Sequence, residues 1–221
     1  MRKIRIGLIN MLTTDNKEIE YSHQKVLEEC FDCFEITTRT IPGQYEGIHD
    51  SETLQLAVPK SLKLACEYEE QGMDVLFMSC CSDPGVKESR SRVKIPVIGA
   101  GAACASVALG MGSKVGVIGI EAEIPGPMRE ILQDRLFDYV RPEGINTTLD
   151  LYGEQGQKRV IRAAGAMKEK GCDVIALGCT GISTTRIHKI ISGQIGIPVI
   201  DPVLAAGVVM SYFRLMEPFS L

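Results

Sequence analysis

The stretch Gly72-Met73-Asp74-Val75-Leu76-Phe77-Met78-Ser79-Cys80 recurs later in the chain as Gly171-Cys172-Asp173-Val174-Ile175-Ala176-Leu177-Gly178-Cys179. The glycine, the Asp-Val pair and the terminal cysteine keep one offset, since 171 − 72 and 179 − 80 are both 99. After each copy the chain runs through about a helix of sequence into Ile-Pro-Val-Ile, at Ile95–Ile98 and Ile197–Ile200. Upstream, Ile6-Gly7-Leu8-Ile9 is matched by Val115-Gly116-Val117-Ile118. A short continuous apolar run bounded by turn residues is the pattern of a strand buried on both faces. The glycine ahead of it is a natural stop for the preceding helix. The chain therefore reads as a duplicated α/β unit with one cysteine at the end of each matching strand.

Outward from these copies, strands and helices alternate. Strands are expected over Lys3–Asn10, Phe34–Thr40, Asp74–Ser79, Pro96–Gly99, Lys114–Ile120, Asp173–Leu177 and Pro198–Ile200. Helices are expected over His23–Cys33, Leu54–Gln71, Ala102–Gly110, Pro127–Phe137, Gln157–Lys170 and Val203–Met216. Such alternation builds βαβ units and a mainly parallel sheet. The expected fold class is α/β, with two pseudo-symmetric doubly wound parallel-sheet halves and an active site in the cleft between them. Residues 1–105 plus 206–221 form the first half, carrying Cys80, and residues 106–205 the second, carrying Cys179. Ligands of open parallel sheets bind beyond the carboxyl ends of the strands, so both thiols should point into that cleft.

Composition narrows the class of partner. The 221 residues are 45% hydrophobic and 24% charged, values of a globular chain with a buried core. A net charge of −4 gives no electrostatic reason to bind nucleic acid or an anionic membrane. No apolar run approaches the length of a membrane span. Met1–Asn10 reads as a first strand rather than a signal peptide, and eight cysteines without a secretory leader suggest a reducing, cytoplasmic setting. Cys66 and Cys104 sit in apolar helical patterns and read as small core residues.

Cys80 opens Cys80-Cys81-Ser82-Asp83-Pro84-Gly85, and Cys179 opens Cys179-Thr180-Gly181-Ile182-Ser183-Thr184. Free backbone N–H groups at a strand-to-helix turn bind anions and lower a thiol's pKa. A lone cysteine there would read as core. Two at matched positions of a repeat read as a functional pair, while Cys81 reads as a neighbour facing the interior or the site wall. Other uses of the thiols fit less well. Cys30-Phe31-Asp32-Cys33 has the spacing of half a zinc site but lacks a second pair, and His23, His49 and His188 are scattered, so no metal site is expected. As a redox pair Cys30 and Cys33 lie inside a helical pattern rather than opening a helix. Gly99-Ala100-Gly101 lacks the spacing of a dinucleotide fingerprint, and no Walker-type loop is present.

Cys80-x-x-Asp83-Pro84-Gly85, the turn Gly178-Cys179-Thr180-Gly181 and the duplicated halves together resemble the aspartate/glutamate/hydantoin racemase superfamily. They are most similar to its hydantoin and allantoin racemase branch, and Glu46-Gly47-Ile48-His49-Asp50 is similar to an acidic segment of that branch. The resemblance spans nearly the whole chain. It implies a cofactor-independent, PLP-free isomerase that racemises or epimerises a carbon next to a carbonyl. Its substrate would be a small molecule: a hydantoin, a ureide or an amino acid. By the same resemblance Cys80 and Cys179 are an acid/base pair, one thiolate removing a proton and one thiol returning it to the opposite face. Asn10 of Asn10-Met11-Leu12-Thr13, Ser79, Cys81, Ser82, Thr180, Gly181 and Glu121 are the expected substrate-binding residues. The branch commonly has Asn-Pro-Asn-Thr at the first of these segments and threonines near the last, where this chain has Met11, Leu12 and Glu121. A homo-oligomer is expected. The competing readings are a related single-thiol decarboxylase or cis-trans isomerase, and a non-catalytic binding protein on the same scaffold.

Overall fold

Among the described residues, eight strands form two four-stranded, wholly parallel sheets with the same order. In the computed structural model, which describes residues 2–216, the first sheet runs β2-β1-β3-β4 and the second β6-β5-β7-β8. The strands are β1 (Ile4–Asn10), β2 (Phe34–Thr40), β3 (Val75–Ser79), β4 (Val97–Gly99), β5 (Val115–Ile118), β6 (Leu136–Val140), β7 (Val174–Leu177) and β8 (Val199–Ile200). The helices are α1 (Lys17–Glu20), α2 (Ser22–Cys30), α3 (Ser51–Glu70), α4 (Val86–Arg90), α5 (Ala100–Met111), α6 (Gly126–Leu132), α7 (Glu154–Glu169), α8 (Thr180–Thr184), α9 (Ile187–Ile195) and α10 (Pro202–Ser211). The two-fold α/β organisation read from the sequence is the observed fold.

Side-chain alternation sorts the strands into layers. Ile6, Leu8, Val75 and Phe77 of the first sheet and Val115, Val117, Val174 and Ala176 of the second face one shared core. Leu27 of α2, Cys104 of α5 and Val203 of α10 fill that core between the sheets. The opposite face of the first sheet, with Ile9, Leu76 and Met78, packs on Leu64 and Tyr68 of α3. The opposite face of the second, with Ile118, Ile175 and Leu177, packs on Val160 and Met167 of α7 and Ile191 of α9. Each sheet thus has helices on both faces, which explains the continuous apolar runs. The matching glycines of the echoed strands also have a packing reason. A Cβ on Gly7 would lie 2.7 Å from the Tyr68 ring, and one on Gly116 would lie 2.7 Å from the Met167 sulfur.

Three expected elements are corrected. The helix over Pro127–Phe137 ends at Leu132, and after a 3-10 turn at Gln133–Arg135 the chain becomes β6, the counterpart of β2. The helix over His23–Cys33 stops at Cys30, where Phe31 turns to extended backbone. The closing helix over Val203–Met216 stops at Ser211 and continues as a 3-10 turn through Arg214. Of the expected halves, Met1 and 217–221 lie outside the described residues.

Candidate active site

The carboxyl ends of β1, β3, β5 and β7 converge on one cavity between the sheets. Asn10 ends β1, Ser79 ends β3, Ile120 and Glu121 follow β5, and Gly178 follows β7. Cys80 and Cys179, the next residues after Ser79 and Gly178, both line this cavity. Of the other expected site residues, Asn10, Ser79, Cys81, Thr180, Gly181 and Glu121 also line it. Ser82 does not line it, but its hydroxyl donates to the Glu121 carboxylate.

The hydroxyls beside the thiols already have protein partners. The Nε2 of His23 lies 2.9 Å from the Thr180 carbonyl, which can only accept, so Nε2 carries the proton. His23 Nδ1 then accepts from the Ser79 hydroxyl at 2.8 Å. The Thr180 hydroxyl donates to the Ser79 carbonyl at 3.2 Å. Burial holds this imidazole neutral and pushes its pKa down to about 4. Asn10 donates Nδ2 to the Glu20 carbonyl at 3.2 Å and accepts the Leu12 N–H at 3.1 Å, which fixes its side chain at the cavity wall. Cys81 is buried, with its sulfur 3.7 Å from the Leu177 carbonyl of the other sheet.

The expectation that the turns lower the thiol pKa values is corrected. Burial pushes Cys179 up to about 11, with the Glu121 charge adding to the rise. The N–H groups of Gly181 and Ile182 and the Thr148 hydroxyl pull it partly back. Cys80 is pushed well above its ordinary value, by burial first and the Glu121 charge second, and only the Ser82 N–H among its hydrogen bonds opposes this. Desolvation therefore outweighs the local donors at both thiols. Cys179 has the richer set of donors. Glu121 is itself raised, by burial first, and held back by Ser82.

Asp83 serves the scaffold. Its carboxylate oxygens accept the N–H groups of Gly101 and Ala102 at 2.8 and 2.9 Å, at the start of α5. A Cβ on Gly99 would lie 2.2 Å from that carboxyl carbon, and one on Gly101 would lie 1.9 Å from the Cys81 carbonyl oxygen. Gly99-Ala100-Gly101 thus exists to bring α5 against the turn that carries Cys80. Asp201 does the same for α10, accepting from Val203 and Leu204, while Ser183 donates to it and His188 lies 3.2 Å away.

Sequence reasoning missed His23, Thr148 and Tyr152 as cavity residues. Thr148 and Tyr152 come from the segment after β6, and Ile48 from the corresponding segment after β2. The two segments meet at the cavity, where a Cβ on Gly47 would lie 2.8 Å from the Thr148 hydroxyl. The offset of the repeat, carried on to these segments, was the signal that could have found them. Among the described residues no group of three or more His, Cys, Asp or Glu side chains is placed to hold a metal. No helix among them is long and apolar enough to cross a membrane.

A duplicated parallel α/β chain with its cavity at the joined strand ends has the architecture of a racemase-type isomerase. The chain belongs to the Asp/Glu/Hydantoin racemase family, whose model matches residues 6–209, and is an enzyme of that class. It is 26% identical to the hydantoin racemase of Pseudomonas sp. (strain NS671) over 91% of this chain and 82% of that protein. It is 30% identical to the hydantoin racemase of Rhizobium meliloti over 75% of this chain and 69% of that protein. Among solved structures, the allantoin racemase from Klebsiella pneumoniae matches with a TM-score of 0.81 and 25% identity, covering 96% of this chain and 89% of that one.

Proposed function

We propose that this protein is a cofactor-independent racemase or epimerase of a carbon next to a carbonyl, with Cys80 and Cys179 as its acid/base pair. The observation that carries this reading is that both thiols line one cavity from the ends of matching strands in different sheets. The thiolate of one cysteine takes the proton from the stereogenic carbon, and the C–H electron pair moves onto the carbonyl. The thiol of the other cysteine returns a proton to the opposite face, leaving thiol and thiolate exchanged. Two groups of one kind suit a reaction that must run equally well in both directions. The hydantoin and allantoin racemases it resembles favour a hydantoin or ureide over a free amino acid.

Asn10, Gly181 and Thr148 are binding and positioning groups in this reading. The packing of α10 on α2 supports assigning the closing helix to the first half, as in the division into 1–105 plus 206–221 and 106–205, whose bounds fall inside α5 and α10. Eight cysteines, all free, support a reducing cytoplasmic setting. Exposed Val208, Tyr212 and Leu215 support a homo-oligomer. A single-thiol decarboxylase or cis-trans isomerase would not call for the second thiol. The test is proton exchange in D2O followed by NMR with 5-substituted hydantoins, allantoin, aspartate and glutamate. Loss of one compound's stereogenic C–H signal together with its optical rotation is the expected result. Binding without exchange would leave a non-catalytic protein.

A further inference from the structure

We infer that Glu121 is the specificity-determining group of this cavity: it accepts a hydrogen bond from a substrate N–H and rejects substrates with a free carboxylate beside the reacting carbon. The inference rests on the proposed racemase reading of the same site and adds the charge of the substrate to it.

Three observations carry it. First, Glu121 lines the cavity with only one hydrogen bond to its side chain, from Ser82. An ionised carboxylate offers about four lone-pair positions, so acceptor capacity is left for a ligand. Second, the residue is held in place. Its backbone carbonyl accepts from the Tyr139 hydroxyl at 2.7 Å, and Ser82, two residues from Cys80, pins its carboxylate from the other half. Third, among the described residues no Lys or Arg lines the cavity, and the imidazole that does, His23, is neutral with both nitrogens engaged. A substrate carboxylate would therefore meet the Glu121 charge with no Lys, Arg or charged imidazole of the cavity wall to offset it, while His49 and Asp50, behind Glu121, act on it with opposite signs. The Glu121 charge is felt at both thiols, so a substrate held between them lies within its reach. Like charges brought together in a desolvated site repel, weakening binding of the anion. A ring N–H of a cyclic ureide turns the same carboxylate into a charge-assisted hydrogen-bond acceptor.

The test compares a 5-substituted hydantoin with its ring-opened ureido acid, which keeps the ureido N–H groups and gains a carboxylate. Binding of each to the wild type, Glu121→Gln and Glu121→Thr is measured by calorimetry, with proton exchange in D2O on the same samples. Glu121→Gln keeps the shape and the Ser82 contact, and circular dichroism confirms folding of both variants. The wild type should bind the hydantoin at least about tenfold more tightly than the ureido acid. Glu121→Gln and Glu121→Thr should narrow that ratio, chiefly by improving binding of the acid. An unchanged ratio in both variants, tighter binding of the acid by the wild type, or no binding of either probe would overturn the assignment. Discrimination lost in the variants but no exchange in any sample would sustain Glu121 as the selector and overturn the racemase reading alone.

Discussion

Thr180 is hydrogen-bonded to Ser79 across the two sheets, its hydroxyl donating to the Ser79 carbonyl at 3.2 Å. Ser79 precedes one thiol and Thr180 follows the other, so this bond ties together the strand ends that present Cys80 and Cys179. His23 doubles the tie from the side, with one nitrogen on each partner. The spacing of the two proposed acid/base groups is thus set by a buried, neutral polar network, not by flexible side chains reaching from solvent.

Removing that brace should cost both stability and rate. His23→Ala leaves the Ser79 hydroxyl and the Thr180 carbonyl short of a buried partner, worth about 1–3 kcal/mol in urea unfolding. The native imidazole resists protonation down to about pH 4, whereas the unfolded one protonates near 6.5. Between these values the unfolded chain binds the extra proton. Stability from this group is therefore fully present above pH 6.5 and lost as pH falls toward 4, by on the order of 3 kcal/mol. The difference between wild type and His23→Gln across that window measures it. Parallel pH curves for the two proteins would contradict the assignment.

The sheets and the thiols were legible because their signals are local and repeated. The buried strands are continuous apolar runs, and each cysteine sits where the run ends. β6 was not legible because Leu136–Val140 is an edge strand with every residue half-buried, and it follows a helix with no glycine or proline between them. His23 was not legible either. Its role depends on Thr180, far along the chain, and nothing near it in sequence separates it from an ordinary helix histidine. The thiol pKa values went the other way from expectation because a turn shows its N–H groups in sequence, whereas the depth of burial that outweighs them is a property of the assembled sheets.

Loss of either thiol should stop racemisation while sparing the fold. Cys80→Ala and Cys179→Ala should each lower the rate by at least about 10²–10⁴-fold, the range expected for one acid/base group. Cys81→Ala, whose sulfur faces the Leu177 carbonyl in the core, should stay within about tenfold of wild type and lose about 1 kcal/mol of stability instead. Polarimetry with calorimetric unfolding separates these outcomes. Full activity without Cys80 or without Cys179 would end the two-base mechanism.

The pH dependence should be alkaline. With Cys179 near 11, only about one molecule in ten thousand holds this thiolate at pH 7 in the empty site. The rising limb of kcat/KM reports the free enzyme, so it should still be climbing at pH 9. Glu121→Gln removes a charge that raises both thiols and should move the limb to lower pH. A wild-type plateau by pH 8 would show that the thiols are not held up as this burial requires.

Gly181 provides the sharpest local test, because its missing side chain is what lets Thr148 reach Cys179. A Cβ there would lie 2.5 Å from Thr148 Cγ2 and 3.5 Å from the Cys179 sulfur. Gly181→Ala should therefore push the Thr148 segment outward, costing about 1–3 kcal/mol as overpacking does. It should also withdraw the Thr148 hydroxyl from the thiolate it helps to stabilise. Thr148→Ala alone removes the hydroxyl and the methyl without crowding, so it should raise the apparent thiol pKa and leave stability less affected. In the double variant the closest clash has lost its partner, and the tightest remaining contact is Leu151 Cδ1 at 3.2 Å. A double-mutant cycle should then return most of the stability lost in Gly181→Ala while kcat stays at the Thr148→Ala level. Simple additivity of the two stability losses would mean that the alanine methyl finds room elsewhere and that Gly181 is needed for another reason.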